Sequence, residues 1–143
     1  MANDWAGQIE PGDIWVTVGF ANKDGKTRAC WIYMTRNMPN AFIEERLNVL
    51  RQQARILGVI QFFRDGTPAR IVPYRGEDSA IQTDEGEQNA ITIMQRVKEK
   101  VVEDLIRILN SQSIELSVGS GKTTFDQESS AAVLKSLNWT ERN

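Results

Sequence analysis

Ile14-Trp15-Val16-Thr17-Val18-Gly19-Phe20 is the stretch of sequence that decides the fold. Every second residue is aliphatic or aromatic, so these side chains would lie on one face of an extended chain. An alternation with period two is typical of a β-strand. A polar turn over 21–26 contains the pair Asp24-Gly25, and residues 28–35 form a second strand-like run. Two such runs around an Asp-Gly turn predict a β-hairpin.

The chain beyond this hairpin continues in the same order, with a helix and then further hairpins. Asn40 is the predicted N-cap of a helix that stops at Gly58. Its apolar residues recur at helical spacing: Ile43, Leu47, Leu50, Ala54 and Leu57. Strands are predicted over 59–64 and 69–74, a polar loop over 75–88, and a long helix over 89–110. The stripe of that helix comprises Ala90, Met94, Val97, Val101, Leu105 and Ile108.

A last hairpin over 113–125 and a short helix over 128–137 complete the order ββα-ββα-ββα. Hairpins imply antiparallel pairing. We therefore expect an α+β fold in which three hairpins form one antiparallel sheet and the helices pack on one face of it. With 143 residues, the chain can bury a core of its own, and a single domain is expected over 1–143.

The stretch Gly119-Ser120-Gly121-Lys122-Thr123 resembles the end of a phosphate-binding loop, whose backbone N–H groups and lysine cradle phosphates. The motif requires a glycine at position 116, where the chain has Leu116. Leucine resists the positive φ angles that glycine adopts there. We therefore interpret these glycines as a hairpin turn, and a nucleotide-binding enzyme using Lys122 and Thr123 as the weakest alternative.

The chain contains no histidine and one cysteine, which excludes Ser-His and Cys-His catalysis and the usual zinc sites. Cys30 lies in an apolar run and is expected to be a buried, inert thiol. No run of acidic residues has the spacing of a calcium loop. The sequence thus predicts a protein that is not an enzyme and that holds no cofactor and no metal.

Aromatic residues on the first two strands are the first candidate binding surface. If the aliphatic side of the hairpin is buried, Trp15, Trp31 and Tyr33 form an aromatic patch on the other side. Such a patch can stack on bases, sugars or the side chains of a partner. The alternative is that a helix or another strand covers this second face.

Arginines in the middle of the chain are the second candidate, as a basic patch that could bind phosphates: Arg51, Arg55, Arg64 and Arg70. The alternatives are that they face the acidic segment 77–104 within the fold or across a homodimer, or that they are solvated. The net charge of −2 does not favour a nucleic-acid partner, and no apolar run is long enough for membrane insertion.

The segments Gly12-Asp13-Ile14-Trp15-Val16, Asp24-Gly25-Lys26 and Arg28-Ala29-Cys30 resemble the opening of small exported bacterial proteins of the invasion-associated locus B type. The end is similar too, with a helix over 102–109, a hairpin over 114–125, and Ala131-Ala132-Val133-Leu134. The cysteines of that family come in pairs, whereas Cys30 is alone. The resemblance implies an exported, non-enzymatic, virulence-associated protein linked to the bacterial envelope or to host contact.

Two binding hypotheses follow. The first is a non-catalytic protein that binds another protein and is exported. The second is a cytoplasmic secretion chaperone or adaptor that acts as a dimer, which small size and amphipathic helices favour. The start of the chain, Met1 to Trp5, has neither the basic nor the apolar region of a signal peptide. The compartment is therefore periplasmic or extracellular if the native gene encodes a signal peptide, and cytoplasmic otherwise.

Overall fold

The computed structural model describes residues 14–23, 26–36, 38–110 and 120–125. Along the chain these residues form seven elements: β1 (Ile14–Lys23), β2 (Lys26–Thr35), α1 (Asn40–Gln53), β3 (Arg55–Phe62), β4 (Pro68–Pro73), α2 (Asp84–Asn110) and β5 (Ser120–Phe125). The five strands form one sheet in the order β4-β3-β1-β2-β5, and every neighbouring pair is antiparallel. The predicted α+β class with an antiparallel sheet is confirmed.

Strand β1 lies at the centre of the sheet, as its two-sided apolar character requires. It pairs with β2 along its whole length, so that Ile14 lies opposite Thr35 and Lys23 opposite Lys26. On its other side β1 pairs with β3, and β3 continues the sheet into β4. The first two predicted hairpins are therefore confirmed, and they lie side by side.

Helices cover both faces of this sheet, so the prediction that they pack on one face is wrong. Side chains of one face, here called the α2 face, pack against α2: Val16, Val18, Trp31, Tyr33, Ile60 and Phe62. The opposite face, the α1 face, packs against α1 and includes Ile32, Met34 and Ile56. The physical reason is that the central strands carry apolar side chains on both faces, and each face then requires a cover.

Helix α1 ends at Gln53, which is earlier than predicted, and the next strand begins at Arg55. Gly58 is a residue of β3 and does not end the helix. Long-range pairing overrides the helical spacing here, because Arg55 and Ile56 pair with Phe20 and Gly19 of β1. A Cβ atom placed on Gly19 would lie 2.8 Å from the Cβ of Ala54, so the bare glycine allows α1 to approach the sheet closely.

Helix α2 begins at Asp84, five residues before the predicted start at Asn89. Thr83 caps it, since its hydroxyl accepts a hydrogen bond of 2.9 Å from the backbone N–H of Gly86. The first turn is acidic, which suits the positive end of the helix dipole. The predicted stripe is confirmed for five of its residues, which are fully buried: Ala90, Met94, Val97, Val101 and Leu105.

Strand β5 contains the residues that resemble a phosphate loop. Ser120 and Gly121 belong to the strand and not to a turn, because they pair with Ile32 and Trp31 of β2. The other strand of the predicted third hairpin, 113–118, and the helix over 128–137 lie outside the described residues. The described part of the chain thus has two ββα units and one further strand, and the third unit is not confirmed.

Candidate functional site

A cavity of about 350 Å³ lies between α1 and the sheet. We call it the α1 groove. Nine residues line it: Trp15, Thr17, Met34, Ile43, Leu47, Arg51, Ile56, Val59 and Tyr74. Most of these side chains are aliphatic or aromatic, and few are polar, which is the composition typical of small-molecule and cofactor sites.

The floor of the α1 groove is set by the register of the sheet. Trp15 lies between Met34 of β2 and Gln61 of β3. Two residues further along β1, Thr17 pairs with Val59, which in turn pairs with Val72 of β4. Side chains two residues apart on a strand point to the same face. The floor therefore runs across β1, β2 and β3, of which β3 is distant in sequence from the other two.

One flank of α1 forms a wall of the groove. Ile43, Leu47 and Arg51 are spaced by four residues, so they share one side of the helix. A different side of α1, with Leu50, packs against the sheet at Gly19, and so does Ala54 directly after the helix. The helix is therefore in close contact along one edge and open along the other. Val72, on the same sheet face beyond the groove, is 39% exposed.

Tyr74 forms the facing wall and is held by its own loop. Its hydroxyl donates a hydrogen bond of 2.8 Å to the carbonyl oxygen of Glu77. Its backbone N–H donates to the carbonyl oxygen of Leu57 at 3.0 Å. A side chain at Gly76 would collide with the tyrosine ring in its present position and would have to displace it. These contacts fix the wall in place without any ligand, and a pre-formed wall lowers the entropic cost of binding.

Besides Tyr74, two polar residues line the groove. Thr17 is a polar residue that is almost fully buried, with 3% of its surface exposed. Arg51 is the one charged residue among the nine that line the cavity, and it donates a hydrogen bond of 3.3 Å to the side-chain oxygen of Asn48. No carboxylate, thiol or amine is among the lining residues. The groove is equipped to bind and orient an apolar group.

The predicted aromatic patch is not assembled on one face. Val18 pairs with Trp31 and Val16 pairs with Tyr33, and paired residues point to the same face of a sheet. Trp31 and Tyr33 are consequently buried on the α2 face. Trp15 lies on the opposite face, where it is half-buried and lines the α1 groove. The alternative, a helix over the second face, describes the structure better.

The two buried aromatics belong to a polar network beneath α2. The indole N–H of Trp31 lies 3.3 Å from the hydroxyl of Tyr33, which donates to a carboxylate oxygen of Asp104 at 3.4 Å. Arg107 donates to the other oxygen of Asp104 at 2.8 Å. Burial, reinforced by the charge of Asp104, raises the pKa of Tyr33. The network joins α2 to the sheet, and the raised pKa favours the protonated, uncharged form of Tyr33.

The four predicted arginines are not brought together. Arg55 starts β3 and Arg64 follows its end, so roughly 30 Å of extended chain separates them. Arg70 lies on the α1 face, where it donates to the side-chain oxygen of Gln61. Arg51 alone lines the groove. Its position could have been recognised from the sequence, because it continues the stripe of Ile43 and Leu47 by one helical step.

The described part of the chain has no helix long and apolar enough to cross a membrane. Nor do the described residues bring three metal-binding side chains together. No family model matches the chain, and neither a curated protein nor a solved structure shows significant similarity to it. The resemblance to exported proteins of the invasion-associated locus B type therefore stays a prediction.

Proposed function

We propose that this protein is a non-catalytic binding protein and that the α1 groove takes up an apolar group of its ligand. The observation that carries the proposal is the cavity of about 350 Å³, lined by fixed apolar side chains on the sheet and by one flank of α1. Its volume falls at the lower end of the range of small-molecule pockets, about 300–1,000 Å³.

The size of the cavity sets the size of the group that fits. With about 30 Å³ per non-hydrogen atom, the liquid volume of one water, the groove accommodates on the order of a dozen such atoms. Each methylene that leaves water for the groove contributes about 0.8 kcal/mol, or roughly a fourfold gain in affinity. A chain of about ten methylenes that fills the groove thus gains about 8 kcal/mol, which is comparable with the cost of association of about 4–15 kcal/mol.

The polar residues of the groove favour binding over catalysis. Thr17, Tyr74 and Arg51 can donate hydrogen bonds, but the lining contains no carboxylate or imidazole to accept a proton at neutral pH. The hydroxyl of Tyr74 is engaged with the backbone of Glu77. A threonine without an adjacent base is a weak nucleophile.

Calorimetric titration with a series of neutral alcohols tests the proposal. We expect saturable, one-site binding whose affinity rises from hexan-1-ol through octan-1-ol to decan-1-ol, by roughly fourfold per methylene. Val59→Phe places a larger side chain in the floor and should abolish binding of decan-1-ol. Val72→Phe is the matched control, because Val72 pairs with Val59 on the same face but does not line the cavity.

Retained binding in Val72→Phe, together with its loss in Val59→Phe, supports the proposal. Absence of saturable binding to the wild-type protein would contradict it. Equal binding to the two variants would also contradict it, because the alcohol would then lie outside the groove. Circular dichroism of both variants confirms that each is folded.

The protein partner, the export and the dimeric adaptor role belong to this proposal as predictions. An encoded signal sequence in the native gene would exclude the cytoplasmic chaperone. Sedimentation of the pure protein tests the dimer, and a strict monomer would contradict an obligate dimeric adaptor.

A further inference from the structure

We infer that the ligand of the α1 groove is a neutral molecule with an internal carbonyl group, as in a ketone or an ester, and that the hydroxyl of Thr17 donates a hydrogen bond to it. This inference rests on the proposed function, because the apolar groups on either side of the carbonyl are the part of the ligand that fills the groove.

The side chain of Thr17 is surrounded by residues of the sheet that cannot accept its proton. Thr17 lies on the central strand β1, where it pairs with Ile32 of β2 and Val59 of β3. Trp15 and Gly19 are its neighbours on the same face of β1. None of these four residues has a side chain that can accept a hydrogen bond.

The hydroxyl of Thr17 has no hydrogen-bond partner among the residues that the structure describes. The residue is nevertheless almost fully buried, and a buried hydroxyl without a partner lowers stability. Valine has nearly the same branched shape and no hydroxyl, so packing alone does not require threonine here. Because Thr17 lines the cavity, a molecule in the groove lies over this hydroxyl and can supply the missing partner.

The donors and acceptors of the lining favour a carbonyl over a hydroxyl on the ligand. No carboxylate lines the cavity, and the hydroxyl of Tyr74 is engaged with the backbone of Glu77. A ligand hydroxyl paired with Thr17 would leave one of the two O–H groups without an acceptor in apolar surroundings, which is costly. A carbonyl oxygen only accepts, so its bond with Thr17 leaves no donor unsatisfied.

The charges of the lining favour a neutral ligand. Arg51 is the charged residue of the lining, and it interacts within the fold, with Asn48 among its contacts. A cationic ligand would find no carboxylate in the cavity. Transfer of an unpaired charge into an apolar cavity costs far more free energy than transfer of a carbonyl group.

Thr17 lies near the middle of the floor, so the carbonyl of the ligand must be internal. Trp15 and Met34, which pair across the first hairpin, line the cavity on one side of Thr17. Ile56, which pairs with Gly19, lines it on the other side. Trp15 and Gly19 are four residues apart on β1, which corresponds to about 13 Å. Apolar groups can therefore extend from the carbonyl in both directions along the floor.

Titration calorimetry with undecan-6-one and 6-methylideneundecane tests the inference, since the two molecules have the same shape and differ in the carbonyl oxygen. Both should bind to the wild-type protein. Thr17→Val should weaken the binding of undecan-6-one about fivefold, the equivalent of one hydrogen bond, and leave that of 6-methylideneundecane unchanged. Thr17→Ser keeps the hydroxyl and should keep most of the affinity for the ketone.

Thr92→Val is the matched control and should change neither affinity. Thr92 is exposed on α2, and its hydroxyl donates to the carbonyl oxygen of Gln88 in the same helix.

Urea denaturation of the free protein gives a second readout, which does not depend on any ligand. Thr17→Val should leave the urea midpoint unchanged or raise it, because it removes a buried hydroxyl that has no partner. A lower midpoint would show that the hydroxyl already has a partner in the fold, and it would overturn the inference.

The remaining outcomes separate the inference from the proposed function. An equal effect of Thr17→Val on the ketone and the hydrocarbon, or no effect on either, would overturn the carbonyl while the proposed function stands. An equal loss for undecan-2-one, whose carbonyl lies near one end, would contradict an internal carbonyl. A larger loss for undecan-6-ol than for the ketone would assign the site to an alcohol. Failure of both undecan-6-one and 6-methylideneundecane to bind would refute the proposed function itself.

Discussion

We predict that helix α1 is attached to the sheet mainly through the edge that contains Leu50, and only weakly through the edge that lines the groove. The same substitution at one leucine on each edge tests this. Leu50 is buried, at 4% exposure, and its Cδ1 would lie 3.2 Å from a Cβ atom on Gly19. Leu47 is half-buried and faces the α1 groove. The perturbation is the same substitution at both positions, Leu50→Ala and Leu47→Ala.

The expected magnitudes differ because the surroundings differ. Truncation of a buried leucine costs about 2.7–5.0 kcal/mol, since a closed void is left behind. For Leu50 we expect about 3 kcal/mol. Leu47 already borders an open space, so its truncation widens the groove and loses about half of a leucine's burial, or about 1 kcal/mol. The gain in helix propensity from alanine is the same at both positions and cancels.

Urea denaturation measures both losses, with the slope against urea concentration expected to stay at its wild-type value. In thermal unfolding the difference of about 2 kcal/mol corresponds to roughly 8 °C between the two variants. Equal destabilisation by the two substitutions, or a larger effect at Leu47, would refute the idea that α1 is open along the groove.

Three further predictions concern the rest of the fold. Gly58→Ala should lower the free energy of unfolding by about 2 kcal/mol in the same urea assay, because the added Cβ would lie 2.9 Å from both the Cε of Met94 and the Cα of Pro73. An unchanged urea midpoint would contradict this close packing. Burial raises the pKa of Tyr33, so the folded chain keeps a proton that the unfolded chain releases near pH 10. The free energy of unfolding should therefore be at its full value below about pH 10 and fall above it, and Tyr33→Phe should flatten the fall. In calorimetric titration, magnesium ATP should give no saturable heat of binding to the wild-type protein or to Lys122→Ala, since Lys122 lies in strand β5. Micromolar binding to the wild-type protein that is lost in the variant would restore the phosphate-loop interpretation.

Local patterns in the sequence were sufficient for the class of the fold. The alternation from Ile14 onward and the turn before Lys26 specify the first hairpin, because register and turn are neighbours in the chain. The stripe of α2 from Ala90 to Leu105 specifies a helix that buries one side. Both features depend on residues close in sequence, so they can be predicted from one sequence alone.

The faces of the sheet and the end of α1 depend on distant residues, and there the predictions were wrong. The prediction that the helices pack on one face was wrong because α1 covers Ile32 and Met34 on one side of the hairpin, whereas α2 covers Trp31 and Tyr33 on the other. Leu57 follows the spacing of α1, yet it belongs to β3 because its neighbour Ile56 pairs with Gly19. Periodicity cannot decide between a helical turn and a strand that a distant partner will hold.

The α1 groove could be predicted only in part. Ile43, Leu47 and Arg51 can be read from helical spacing as one flank. Its floor and facing wall, with Thr17, Val59 and Tyr74, require three strands and a loop to meet. That meeting is a property of the assembled sheet and has no local signature.

The pairing of β5 with β2 has a consequence for how the chain is made. Thr27 lies opposite Phe125, so this edge closes between residues that are synthesised far apart in time. Strands β1 to β4 and helix α2 can assemble first as the chain emerges. Until β5, which begins at Ser120, has been synthesised, the hydrogen-bonding edge of β2 remains open to other chains. The pairing of β5 with β2 closes the longest loop among the described strand pairs, so it carries the largest loop-closure entropy of the sheet.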